Sequence, residues 1–397
     1  MTGHPMYLAI VLLIALASPV ASQDTTKTAP DPVAALVARL DLEHYKATLK
    51  GLTRFGDRRQ GTARNRAAVD WIEQQLKSYG CSVVSRLTYD YQPPTPLAAT
   101  GVRPARDTTR AVGGGRSRGL RARTGVNSDS LRQPDGTLRA LDAEPSTPGR
   151  RQEVYCTKIG TTHPNEMYIV GAHMDGIGWG EAANDDGSGT ALVLELARIF
   201  AAPDVITDRS IRFALWNNEE TGLNGARAYV EQRQALQGRE EPAGSGRYPE
   251  PTWLGMIQHD MMLFDHGMPR ADGTLGPDQR PEADVNIEFQ SRAKFADAAQ
   301  RLAWLFEAAN EQYATDYPAS VGPHMTNTDS APFQDLVAAI SLREDERGTQ
   351  IGSGWDTNWH QPTDRYSTYT DPDFRLGLNA AQTTLAAVAG LVGATLK

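Results

Sequence analysis

Residues 168–200 read YIVGAHMDGIGWGEAANDDGSGTALVLELARIF. This stretch consists of an apolar strand, a glycine-rich loop and a long apolar helix. The loop carries His173, Asp175, Asp185 and Asp186. Ligands of α/β sheets bind outside the carboxyl ends of the strands. The loop therefore predicts a functional site at one edge of a sheet.

The pair His173-x-Asp175 has the form of a metal site, in which an imidazole binds the ion and a nearby carboxylate fixes its tautomer. Such pairs are also common in ordinary loops. The pair alone leaves both interpretations open.

Further along the chain, strand patterns alternate with helical ones. Apolar strands are predicted at 211–216, 253–258 and 338–342, and amphipathic or apolar helices lie between and after them. This alternation predicts an α/β fold with a largely parallel sheet. We expect a three-layer sandwich, with a central mixed, mostly parallel sheet and helices on both faces.

The composition is that of an ordinary globular protein. The chain has 397 residues, 40% hydrophobic and 22% charged, with a net charge of -8. A mildly acidic surface argues against a nucleic-acid partner or a stable membrane partner. The two cysteines, Cys81 and Cys156, both lie in short strand-like stretches. Spacing cannot decide between a disulfide and two free thiols.

Residues 1–22 resemble a secretory signal peptide, because an apolar run is followed by the small residues Val20-Ala21-Ser22. We expect a secreted or periplasmic protein, with an uncleaved anchor as the alternative. Residues 23–31 are predicted to be a linker. Residues 94–150 are rich in Pro, Gly, Ser, Thr and Arg, and predict a disordered insertion. The folded domain would then comprise 32–93 and 151–397.

Acidic residues follow two more predicted strands. Glu219 and Glu220 come after the strand at 211–216, and Asp260 comes after the one at 253–258. Adjacent carboxylates after a buried strand resist desolvation unless a cation compensates them. His360 lies in a late loop with Pro and Asp. Each residue alone could belong to a surface turn or a hydrogen-bonded loop. Together they form a nitrogen and oxygen ligand set that suits zinc.

The ordered motifs HMDG, NDDGSG, NNEETGLNGARAYV, HDM, TDSAPF and HQPTD resemble those of the co-catalytic di-zinc aminopeptidases. These are secreted bacterial leucyl-type aminopeptidases, related to glutamate carboxypeptidases and glutaminyl cyclases. The resemblance covers residues 70–93 and 151–397.

The resemblance implies two Zn²⁺ ions. His173 and Asp260 would bind one ion, and Glu220 and His360 the other. Asp185 would bridge them.

The resemblance also implies catalytic roles. Glu219 would be the general base for a metal-bridging water, and Asp175 would orient His173. The peptide bond after Asp185 would be cis.

One motif departs from the family pattern. The family commonly has Ser-Asp-His where this chain has Thr328-Asp329-Ser330. Asp329 remains available to support the site, and the usual hydrogen bonding of the missing histidine is in doubt. His324 could stabilise an oxyanion or be a surface loop residue.

The expected function is that of a secreted zinc-dependent exopeptidase that removes N-terminal residues from peptide substrates. A carboxypeptidase or dipeptidase of the same family is the main alternative. A glutaminyl cyclase and a non-catalytic binding ectodomain are disfavoured, because the ligand positions and the base are all intact.

Overall fold

In the computed structural model, an eight-stranded mixed sheet forms the centre of residues 32–397. The structure describes Met1 and residues 31–93, 126–263, 285–323, 327–344, 356 and 358–397. The strands are β1 (Val83–Tyr91), β2 (Gly149–Lys158), β3 (His163–His173), β4 (Val205–Ile206), β5 (Arg209–Trp216), β6 (Thr252–His259), β7 (Val285–Phe289), β8 (Ala319–Gly322), β9 (Ala339–Arg343) and β10 (Thr395–Leu396). The α-helices are α1 (Pro32–Val37), α2 (Leu42–Thr53), α3 (Ala63–Ser78), α4 (Gly136–Asp142), α5 (Gly187–Phe200), α6 (Asn224–Arg233), α7 (Ala296–Tyr313) and α8 (Asp371–Val392).

The strand order is β1-β2-β5-β3-β6-β9-β7-β8, and the short strands β4 and β10 pair separately. The four central strands β5, β3, β6 and β9 run parallel. The β1–β2, β2–β5 and β7–β9 pairs are antiparallel. The predicted mixed sheet is therefore confirmed. Its parallel centre brings the carboxyl ends of β3, β5, β6 and β9 to one edge.

Helices cover both faces of this sheet. Side chains alternate between the faces of a strand, and along β3 Val170 and Ala172 enter a large apolar cluster while Met167 and Ile169 enter a smaller one. Helices α1, α2, α3, α5, α7 and α8 contribute to the large cluster, and α6 contributes to the small one. The expected three-layer arrangement is present.

Helix α5 follows the predicted apolar segment closely. Its first turn is capped by Asp186, whose carboxylate accepts a hydrogen bond from the Gly189 amide. Nearly every residue of α5 is buried, and the helix contacts β3, β5, α2 and α8. The loop before this helix is therefore held between two buried elements.

The prediction of disorder for residues 94–150 is wrong for its last part. Residues 94–125 lie outside the described residues. Residues 126–150 contain a 3₁₀ turn (Ser130–Arg132), helix α4 and the start of β2. Asp135 caps α4 by accepting hydrogen bonds from the Thr137 and Leu138 amides. Polar contacts, rather than an apolar core of its own, order this segment.

The sequence patterns did not predict strands β7 and β8. Cys81 and Cys156 form a disulfide, with their Cα atoms 6.2 Å apart, so the alternative of two free thiols is not the one found. The signal peptide predicted at 1–22 and the linker at 23–31 lie almost wholly outside the described residues. Within the described ranges, no helix is long and apolar enough to cross a membrane.

Candidate metal centre

A first group of candidate metal ligands lies at the carboxyl ends of the parallel strands. His173 is the last residue of β3, Glu219 follows β5, and Asp260 follows β6. The candidate ligand atoms of these three residues all lie within 4.8 Å of one another. We call this set the strand-end group. The topology of the sheet accounts for its assembly, as the sequence predicted.

A second group comprises Asp185, Glu220 and His360, whose candidate ligand atoms also lie within 4.8 Å of one another. His360 comes from the loop after residue 356, so we call this set the loop group. The His360 Nε2 atom is 2.8 Å from Glu220 Oε2 and 3.0 Å from Asp185 Oδ2.

Asp185 joins the two groups. Its Oδ1 atom is 3.2 Å from His173 Nε2, while its Oδ2 atom faces His360. The His173 Nε2 atom is also 3.9 Å from Asp260 Oδ1. A carboxylate whose two oxygens face different imidazoles has the arrangement expected of a bridging ligand. The peptide bond between Asp185 and Asp186 is cis.

The histidines of this site do not by themselves compensate the negative charge of its buried carboxylates. Burial and the charge of Asp185 together raise the pKa of Glu220 to about 7, against the opposing effect of His360. Burial also raises the pKa of Glu219 well above its ordinary value. Burial disfavours the charged form of His360, yet Glu220 and Asp185 raise its pKa to about 10. The buried carboxylates therefore lack sufficient positive charge.

A divalent cation fits this imbalance. The Glu220 Oε1 atom is buried without a hydrogen-bond partner in the described part of the chain. The donor set of two imidazoles with several carboxylates is one that zinc commonly takes. The residues present thus suit a zinc centre.

Asp175 supports the site differently from the sequence prediction. The His173 Nδ1 atom lies 3.0 Å from the main-chain oxygen of Asp175 and 4.0 Å from its carboxylate. The Asp175 carboxylate instead accepts a 3.0 Å hydrogen bond from the Glu219 amide. Asp175 therefore orients His173 through its carbonyl and fixes the backbone of Glu219 through its side chain.

Asp186 has a larger structural role than the sequence suggested. Its carboxylate accepts hydrogen bonds from the amides of His173 (3.0 Å), Gly189 (2.9 Å) and Met261 (3.2 Å). It thereby ties together the ends of β3 and β6 and the start of α5. An Asp directly before a helical segment is a typical N-cap, so this capping role could have been predicted from the sequence.

Arg343 was missed by sequence reasoning. This buried residue ends β9, and its Nη2 atom donates a 2.9 Å hydrogen bond to Asp260 Oδ2. Its Nε atom lies 3.4 Å from Glu288 Oε2. The rule that polar residues collect at the carboxyl ends of parallel strands could have identified it.

Asp364 was also missed, although it lies in the HQPTD motif. Its carboxylate accepts hydrogen bonds from the Asn184 amide (2.8 Å) and the Asp185 amide (3.1 Å). The His360 loop is therefore tied directly to the backbone of the shared carboxylate.

The two groups face a cleft of about 370 Å³. Its walls comprise His173, Asp185, Glu219, Glu220, Gly222, Leu223, Asp260, Asn327, Trp359 and His360. Five predicted ligands and the predicted base therefore line one cavity. Asp175, the seventh residue of the prediction, is not among the residues that line the cleft.

The motif Thr328-Asp329-Ser330, which departs from the family pattern, follows Asn327 in the wall of this cleft. Asp329 is fully buried, and neither carboxylate oxygen has a hydrogen-bond partner within the described ranges. Burial and the charge of Asp175 raise its pKa well above the ordinary value, although His173 opposes this shift. His324 lies outside the described residues, so its role stays a prediction.

Comparisons with known proteins identify relatives with similar sequences. The family model of peptidase family M28 matches residues 154–384, more than half of the chain. The chain is 42% identical over 206 residues to an aminopeptidase from Pseudomonas aeruginosa, which covers 51% of this chain and 35% of that relative. It is 42% identical over 69 residues to aminopeptidase YwaD from Bacillus subtilis, covering 17% of this chain and 14% of that relative. The chain thus spans only a minor part of these relatives.

Solved structures share the fold at low sequence identity. The zinc aminopeptidase BSAP from Bacillus subtilis has a TM-score of 0.59 and 16% identity, covering 89% of this chain and 95% of that one. Glutaminyl cyclase from Porphyromonas gingivalis has a TM-score of 0.54 and 15% identity, covering 89% of this chain and 99% of that one. The fold therefore accommodates two different chemistries.

Proposed function

Because the chain belongs to peptidase family M28, we propose that it is a zinc-dependent exopeptidase that acts as an aminopeptidase on peptide substrates. The observation that carries this proposal is the junction at Asp185, whose carboxylate faces both ligand groups at the base of one cleft. The relatives named as aminopeptidases add support.

We assign two zinc ions to the cleft. His173 and Asp260 would hold one, Glu220 and His360 would hold the other, and Asp185 would be shared. When bound, zinc supplies Lewis acidity that polarises the substrate carbonyl and makes water more acidic.

Glu219 is the proposed general base. Its burial beside Glu220 raises the pKa of its carboxyl group well above the ordinary value, which suits proton exchange near neutral pH. It would accept a proton from the attacking water and then deliver that proton to the leaving nitrogen of the cleaved peptide bond. Asp175 holds the Glu219 backbone for this task by accepting its amide hydrogen bond.

Export is part of the proposal. Residues 1–22 have the pattern of a secretory signal. The Cys81–Cys156 disulfide is of the kind that persists in oxidising compartments such as the periplasm and the extracellular space.

A substrate panel with metal analysis tests this function. The purified protein is given aminoacyl-p-nitroanilides, N-blocked dipeptides and a peptide with N-terminal glutamine, each with and without a chelator. We expect hydrolysis of substrates with a free amino terminus, loss of activity with chelator and recovery with zinc. Cleavage of blocked dipeptides alone would favour a carboxypeptidase or dipeptidase. Ring closure of the glutaminyl peptide would favour a cyclase.

A further inference from the structure

We propose that Gln133 is a positioning residue for the loop group. Its side-chain amide holds the His360 loop against the loop between His173 and Asp185, and it thereby sets the metal affinity of the loop group. This inference rests on the proposed zinc centre. Gln133 belongs to residues 126–142, which we call the clamp segment and which contains the 3₁₀ turn and α4.

Gln133 is fully buried. Its Nε2 atom donates to the main-chain oxygens of Trp179 (2.7 Å) and Pro362 (3.0 Å). Its Oε1 atom accepts from the Asp135 amide at 3.1 Å. A side-chain amide has two donor hydrogens. One of them bonds to the loop that contains Trp179 and the other to the loop that contains His360 and Pro362, so Gln133 links the two loops.

Asn127 makes the same connection a second time. Its main-chain amide donates to the His360 oxygen at 3.0 Å, and its Nδ2 atom donates to the Gly178 oxygen at 3.3 Å. The clamp segment therefore contacts the backbone of the proposed ligand itself, as well as the loop that precedes Asp185.

The two clamped loops already pack backbone against backbone. A Cβ atom added to Gly178 would lie 2.4 Å from the carbonyl of His360, and one added to Gly180 would lie 2.7 Å from the oxygens of Gln361 and Asp364. At such close approach, a small displacement of one loop must move the other. Gln133 and Asn127 hold the two loops together by donating hydrogen bonds to both of them.

His360 depends on such external support. Its backbone has a φ of 58°, in the left-handed region that residues with a side chain rarely adopt. Such a conformation persists only where the surrounding structure holds it. Metal-binding histidines usually donate from their second ring nitrogen to a fixed partner. The Nδ1 atom of His360 has no hydrogen-bond partner among the described residues. Apart from the Nε2 contacts with Asp185 and Glu220 and the stacking of Trp359, the position of the imidazole depends on its backbone, which the clamp segment contacts.

The test compares Gln133→Met with wild type. Methionine has a similar length and supplies no amide hydrogens, so the oxygens of Trp179 and Pro362 lose their donor. Zinc affinities are measured by competition with a chromophoric chelator, and His360→Ala identifies which zinc belongs to the loop group. We expect that zinc to bind about 10–100-fold more weakly, the usual range for loss of a supporting partner. The affinity for the zinc of the strand-end group should stay within about twofold of wild type. Saturating zinc should restore turnover of the variant.

Leu131→Ala is the matched control, because this side chain lies on the same segment and is 79% exposed. It should leave both affinities unchanged. Wild-type affinities in Gln133→Met would overturn the inference. So would an equal loss at both zinc sites together with a lower free energy of unfolding of the metal-free protein, since this would indicate a purely structural residue. Failure of the proposed function would instead be seen in the wild type, as absence of zinc binding or of peptide hydrolysis.

Discussion

The strand-end group and the loop group hold their histidines in different ways. His173 is the last residue of a central strand, and its Nδ1 atom lies 3.0 Å from the Asp175 carbonyl. His360 belongs to a loop with left-handed backbone, and its Nδ1 atom has no hydrogen-bond partner in the described ranges. One imidazole has a partner at its second ring nitrogen, whereas the other lacks one among the described residues and depends more on the contacts of its backbone.

The supporting contacts differ in origin as well. In the strand-end group, Asp260 is bound by Arg343 from the neighbouring strand β9. In the loop group, His360 is held by Asn127 from a distant part of the chain. A ligand on a sheet is therefore placed by the pairing of strands, whereas a ligand on a loop needs contacts from other segments of the chain.

The largest expected effect concerns Glu219, which lies within reach of His173 and Asp260 and which we propose as base rather than ligand. Glu219→Gln should retain both zinc ions and lower kcat by about 10²–10⁴-fold, the usual contribution of a general base. Metal analysis and steady-state kinetics provide the readouts. The neighbouring Glu220→Gln is the control and should weaken zinc binding in the loop group. Loss of the strand-end zinc from Glu219→Gln would make this residue a ligand.

A smaller effect is expected from Arg343, which contacts Asp260 of the strand-end group and also lies near Glu288 of β7. Arg343→Met leaves the carboxylate of Asp260 buried without its cation, and removal of one partner from a buried ion pair costs about 3–5 kcal/mol. The free energy of unfolding of the metal-free protein should fall by about that amount in chemical denaturation.

The control for Arg343 is Arg209→Met, whose ion pair with Glu166 is partly exposed. Exposed ion pairs contribute at most about 1 kcal/mol. Equal losses in the two variants would show that the strand-end group does not depend on Arg343.

The smallest effect is expected from Trp359, whose ring stacks on the His360 imidazole with centroids 4.0 Å apart. Such a ring pair contributes about 0.5–1.5 kcal/mol. Trp359→Ala should therefore weaken zinc binding in the loop group by about 2–10-fold and leave the strand-end zinc unchanged, as measured by chelator competition. Trp304→Ala, on the exposed face of α7, is the control. Equal weakening at both zinc sites would contradict the separation of the two groups.

Much of the fold and site was predictable from local patterns. Apolar strands followed by polar residues gave the positions of His173, Glu219 and Asp260, because parallel strands align their carboxyl ends. The apolar segment after Asp186 predicted a long helix, which α5 confirms. His360 was identified as a ligand only from the order of the family motifs, because no strand pattern links it to His173, Glu219 and Asp260.

The clamp segment could not be predicted in the same way. Its composition resembles that of a disordered region, and its order depends on single hydrogen bonds from Gln133 and Asn127 to carbonyl groups more than forty residues away. Such bonds leave no periodic signal in the sequence. The interaction of Arg343 with Asp260 was missed for a related reason, because it joins two strands that are adjacent only in the folded sheet.

The sequence by itself determined the strand–loop–helix unit at 168–200 and the types of side chain at the candidate centre, since hydrophobic periodicity and ligand chemistry are local properties. Only the tertiary structure decided which oxygen of Asp185 faces which histidine and what holds His360 in place. Those features depend on distances between segments that are remote in the chain, and such distances are set when the sheet pairs and the loops pack against each other.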